Sequence, residues 1–222
     1  MEYVVVFNLL ILTLFFLSRY LTSEIYTFFI KLSKSENFST YALAFIFFPG
    51  VVVHEMSHFF AAKFLFVPTG KVSLFPKREG DYVKLGSVNV AKSNFVKEFI
   101  IGVAPLLSGI AVILLAVYFM LQDLSGFNLI KILSCLYVIL VVANTMYASR
   151  KDFQAALPFL ITVITIVLVL VIMGIRLPAI DFTWMPEIDL SRIFYMGSLY
   201  LGVPVLIDLV VILVLRIFNR MW

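Results

Sequence analysis

Histidine is almost missing from this 222-residue chain, cysteine nearly so, and charge is scarce. The single cysteine, Cys135, rules out an intrachain disulfide, and its place in an apolar run makes it a packing residue. Charged residues are only 14% of the chain against 63% hydrophobic, which excludes a soluble domain of this size and leaves little room for a separate one. The formal charge of +4 is scattered over the connections instead of forming a block, so it reports membrane topology and not nucleic-acid binding. No internal repeat or low-complexity segment is present, which excludes a solenoid. The first apolar run, Tyr3 to Leu21, lacks a small-residue cleavage site, and only Glu2 charges its leading end. It reads as a retained membrane helix, not a signal peptide.

What is present is a series of long apolar segments, and they predict an all-α polytopic membrane protein of about six spans in one domain, residues 1–222. After Tyr3–Leu21 comes a polar connection, Thr22 to Ser39. The second helix is expected over about Thr40–Val67, the third over Asn94–Leu121 and the fourth over Phe127–Tyr147. The fifth covers Ala155–Ile175 and the last Ile193–Phe218. Between the second and third, the pattern changes to short β-prone runs at 72–75, 82–85 and 87–90, with 76–81 as a turn or loop. This predicts a small β-hairpin, with room for a third strand, at the membrane surface over about residues 70–91. Pro49-Gly50 suggests a kink that opens space one turn before residue 54. Gly102, Ala104, Ser108 and Gly109 allow close helix approach in the third helix.

Both histidines of the chain fall in one pentapeptide, His54-Glu55-Met56-Ser57-His58, inside the apolar stretch Tyr41–Phe66. Positions i and i+4 share a helix face, so the two imidazoles can reach one metal ion. Glu55 beside them can act as a base on water activated by that metal. A histidine inside a membrane helix is costly without a partner, which argues for function.

Alternation of six spans places eleven of the 17 lysines and arginines on one side, including those of the loop 68–93, and six on the other. The positive-inside rule makes the first side cytosolic, together with both termini and the ends of helices two and four. His58 then lies about 10–15 Å below the cytosolic end of its helix. The polar segment Asn144 to Asp152 reaches the same face. A catalytic zinc usually takes three protein ligands and keeps one position open. With no third histidine, the carboxylates Asp152, Glu98 and Asp208 are the candidates. Asp152 is favoured by its side of the membrane and its place beside a broken helix.

The helix with His-Glu-x-x-His, the β-rich loop after it, the Gly-x-x-Pro helix and the late Asn144…Asp152 pair resemble the site-2 protease family of intramembrane zinc metalloproteases, over about Thr40 to Phe153. The resemblance implies one Zn2+ held by His54, His58 and Asp152, with Glu55 as catalytic base. It also implies that Asn144, eight residues before Asp152, steadies the oxyanion or the substrate. The chain departs from the family where Phe153 stands in place of a glycine after the aspartate and where prolines are missing after Asn144. The expected function is cleavage of membrane-spanning protein substrates in the bilayer, an unwound substrate strand adding to an edge of the hairpin. The competing classes are a non-proteolytic metal-binding or transporter-like membrane protein and an inactive helix-binding pseudoprotease. A transporter calls for several acids or histidines along a path, and a pseudoenzyme is free to lose Glu55, which is present. The substrate's identity and the oligomeric state do not follow from these residues.

Overall fold

The computed structural model describes residues 2–79, 82–122, 128–147 and 189–221, together with 152, 154, 158–159 and 161–165. It is mostly helical. Helix α1 spans Glu2–Ser33, α2 Glu36–Phe64, α3 Phe95–Gln122, α4 Leu129–Ala143 and α5 Leu190–Met221. Four of these, α1, α2, α3 and α5, are long and apolar enough to cross a membrane, whereas α4 has 15 residues. Most of the expected fifth span, 155–175, lies outside the described residues. Of it, Pro158, Phe159 and 161–165 are helical, and Phe159 stacks on Phe99 at 4.4 Å between ring centroids.

The polar connection expected over Thr22–Ser39 is helix instead, broken only at Lys34-Ser35. Polar residues there do not compete with the helix because their hydroxyls bond back one turn. Thr22 donates to Ser18 O, Thr27 to Ser23 O and Ser33 to Phe29 O. Lys34 ends α1 at a positive φ of 54°, its N–H reaching Ile30 O at 2.8 Å. Ser35 then caps α2 by accepting from Phe38 N–H. The other end of α2 closes in a Schellman motif. Val67 N–H donates to Ala62 O and Phe66 N–H to Lys63 O, with Phe66 at φ 55°. Pro68 follows and turns the chain into the sheet region.

Strands β1 (Thr69–Ser73) and β4 (Ser87–Val90) pair antiparallel, and inside them β2 (Lys77–Glu79) pairs with β3 (Tyr82–Lys84). The registers Val72↔Val88, Ser73↔Ser87, Lys77↔Lys84 and Glu79↔Tyr82 nest, so the insert is one long interrupted hairpin. The stretch 76–81, expected as a turn or loop, thus contains strand residues 77–79. The hairpin does not lie flat at the end of α2. It folds back along that helix until Gly86 meets Glu55 and Val51, about 14 and 20 Å from Phe64 at the helical rise.

The helices α1 to α4 alternate in direction. His58 lies against Ile101 O and Leu65 O against Lys97 Nζ, so α2 and α3 are antiparallel. Tyr137 OH reaches Ile46 O, and Gly50 lies against Val141 and Thr145, so α2 and α4 run parallel. Helix α5 departs from the expected alternation. Tyr3 packs on Tyr195 and Phe7 on Phe194, while Asn219 bonds Glu24 at the other end, so α1 and α5 are parallel. Six alternating spans would make this pair antiparallel and bring both termini to one face. The parallel pair puts Glu2 and Met221 at opposite ends of these two helices, an arrangement set by long-range packing that spacing cannot reveal. The core between these helices includes Leu14, Phe47, Ile113, Ile139, Val141 and Leu201, each almost wholly buried.

Candidate metal centre

Helix α2 presents His54 and His58 one turn apart, and α4 determines what stands opposite them. At Gly50 an added Cβ would lie 2.4 Å from Val141 O and 2.3 Å from Thr145 Oγ1, so only glycine allows this approach. Pro49-Gly50 thus serves contact with α4, and α2 stays helical through both residues. One turn further along, the Thr145 carbonyl stands 2.7 Å from His54 Nδ1. On α3, Ile101 O lies 2.8 Å from His58 Nδ1. Gly109 plays the same part between α3 and the 144–147 segment, since an added Cβ would sit 2.4 Å from Met146 Cβ. The expected close approach of small α3 residues is therefore present there.

These two carbonyls decide the tautomers. A carbonyl oxygen only accepts, so each Nδ1 must donate, and each Nε2 is left with its lone pair. Both Nε2 atoms point to one place, 3.2 Å apart. Asp152 completes the group, Oδ1 at 3.4 Å from His58 Nε2 and Oδ2 at 3.8 Å from His54 Nε2. For ligand bonds of about 2.0–2.1 Å, the edges of a tetrahedron are about 3.3 Å. The Nε2–Nε2 and His58 Nε2–Asp152 Oδ1 separations are close to that edge, the His54 Nε2–Asp152 Oδ2 separation is longer and involves the other carboxylate oxygen, and the donor set of two imidazoles and one carboxylate suits a borderline cation. His54, His58 and Asp152 are the residues that could hold a metal here, with one ligand atom each within 4.8 Å of the others. The carbonyl behind each imidazole is the supporting bond that metal-binding histidines need to hold their orientation.

Glu55 is buried. The hairpin covers it, since a Cβ on Gly86 would stand 2.8 Å from both Glu55 Cγ and Oε1 and 2.7 Å from Val51 Cγ1. Gly86→Ala is expected to push Glu55 or lift the hairpin, an overpacking cost of about 1–3 kcal/mol. Thermal melting of Gly86→Ala beside wild type checks this, and an unchanged melting temperature would show that the contact has room for a methyl group.

The other candidate carboxylates lie elsewhere. Glu98 accepts from Ser93 N–H at 3.0 Å at the start of α3, beside the Asn94 cap on Lys97 N–H. Asp208 is fully buried and accepts from Asn144 Nδ2 at 2.8 Å. Asn144 caps α4, and its second amide hydrogen goes to Leu140 O at 2.9 Å. Both N–H bonds of its side chain thus have partners within the protein, and its Oδ1 has no hydrogen bond among the described residues. Thr145 and Ile101 escaped the sequence reading because they act through backbone oxygens, which leave no mark on residue type. Among family models, curated proteins and solved structures, no match to this chain is found.

Proposed function

We propose that this protein is an intramembrane zinc metalloendopeptidase, with His54, His58 and Asp152 as ligands and Glu55 as base, acting on membrane-spanning segments of other proteins. The observation that carries the reading is the gathering of Asp152 with the two imidazoles, one ligand atom from each lying within 4.8 Å of the others, with Glu55 on the same helix turn. Zinc, when bound there, supplies Lewis-acid activation of water and of a peptide carbonyl. Thr145 O and Ile101 O keep the two Nε2 lone pairs aimed inward. Glu55 takes the proton of the attacking water and returns it to the leaving amide nitrogen. Burial of Glu55 under Gly86 keeps bulk water off its carboxylate. A helical substrate has its peptide groups locked in internal bonds, so it must unwind before Glu55 can act, and the strand edges of the hairpin beside the site offer it backbone partners.

The test is cleavage of a panel of single-span substrates by the purified protein in lipid vesicles. Activity should be lost to a strong chelator and restored by added Zn2+. Chelator-insensitive cleavage, or none with any substrate from zinc-loaded protein, would refute the reading.

The hairpin end of the bundle carries Lys63, Lys71, Lys92 and Lys97, and by the positive-inside rule this supports a centre facing the cytosol. In a Cys135→Ser background, a cysteine at position 71 should resist labelling from outside intact cells and one at position 34 should label. The reverse pattern would turn the site to the other face.

A further inference from the structure

We propose that Asp208, on α5, is a positioning residue for the metal centre, acting through Asn144 on the carbonyl that orients His54. The inference rests on the metal reading of His54, His58 and Asp152. Asp208 is wholly buried at mid-helix in a long apolar span, where an acid is costly and needs a reason. Its Oδ1 accepts from Asn144 Nδ2 at 2.8 Å. Asn144 is the C-cap of α4, and its own carbonyl accepts from Ser18 Oγ of α1 at 3.3 Å. The next residue, Thr145, turns its carbonyl to His54 Nδ1 at 2.7 Å. Three residues on from Asn144, Tyr147 OH ties the segment to Ile11 O. The 144–147 segment is thus held from behind by the α1–α5 pair and in front holds a ligand imidazole. The linkage runs from Asp208 to Asn144 by a buried hydrogen bond, along the backbone to Thr145, and from its carbonyl to His54.

The link is selective for an acceptor at position 208. Asn144 spends its two amide hydrogens on Leu140 O and Asp208 Oδ1. If the second partner is removed, a buried N–H is orphaned and the cap can rotate, taking the Thr145 carbonyl with it. Asparagine at 208 keeps a carbonyl oxygen for that bond. It also brings an N–H to a pair whose other two oxygens, Asp208 Oδ2 and Asn144 Oδ1, have no hydrogen bond among the described residues. A supporting bond directly behind a metal ligand is worth about 10–100-fold in affinity, and Asp208 stands two links further back, so the expected loss is near the tenfold end.

The experiment is Co2+ titration of the full-length apoprotein in detergent micelles, read by the visible ligand-field bands, for wild type, Asp208→Ala, Asp208→Asn and Leu201→Ala. Leu201 is fully buried on the same helix, so its truncation loosens α5 packing without touching the clamp. Asp208→Ala should bind Co2+ about tenfold more weakly with shifted bands. Asp208→Asn and Leu201→Ala should bind as wild type does, even where Leu201→Ala melts lower. The inference is overturned if Asp208→Ala titrates like wild type, if Leu201→Ala weakens binding as much, or if Asp208→Asn fails as Asp208→Ala does. Wild-type protein that binds no Co2+ would bring down the metal reading itself, and this inference with it.

Discussion

Purified His58→Ala is expected to carry almost no zinc, against about one ion per chain in the wild type. His58 supplies one of only two imidazoles, its Nε2 standing 3.2 Å from that of His54 and 3.4 Å from Asp152 Oδ1. Without it two ligands remain, and a two-ligand set does not hold zinc against competing water. His54→Ala should behave alike. Asp152→Asn should weaken binding less sharply, because the amide keeps an oxygen but loses the charge that offsets the cation in a poorly solvated site. The helix itself should survive all three changes, since α2 is held at both ends by its own caps. Elemental analysis beside far-ultraviolet circular dichroism separates ligand loss from unfolding. Full zinc occupancy in both histidine variants would abolish the proposed centre.

Glu55→Gln should produce the opposite pattern, with zinc kept and cleavage reduced by about 10²-fold or more. Glutamine fills the same space beneath Gly86 and against Val51, so the packing around position 55 is preserved. What it cannot do is accept the proton from water and return it to the leaving nitrogen. Zinc content and single-turnover cleavage measured on the same preparation make the distinction. A Glu55→Gln protein that cut at the wild-type rate would remove Glu55 from the mechanism, and one that lost its zinc would recast Glu55 as a ligand.

The two expected outcomes differ because the proposal gives residues on one turn of α2 different roles, and their shared turn follows from local geometry. An i, i+4 spacing puts two side chains on one face of any α-helix, so His54 and His58 were legible as a pair before any packing was known. The long apolar runs likewise determine that α1, α2, α3 and α5 are helices of membrane-crossing length, because length and hydropathy are properties of the segment alone. The β-prone insert is legible for the same reason, although its inner strand at 77–79 reads as a loop in a stretch rich in charge and glycine.

Tertiary structure decided the rest. Three acids were open as the third ligand, and only packing brings Asp152 to the histidines while Glu98 accepts from Ser93 N–H and Asp208 holds Asn144. The carbonyls of Thr145 and Ile101, which choose the histidine tautomers, carry no side-chain signature. The close approaches at Gly50 and Gly86 depend on which element crosses there, and a glycine alone does not say what its missing side chain would have met. Direction is the clearest case. Each apolar helix is equally satisfied running either way through a bilayer. The parallel pairing of α1 with α5 is therefore decided by contacts such as Tyr3 on Tyr195 and Glu24 with Asn219, residues nearly 200 positions apart in the chain.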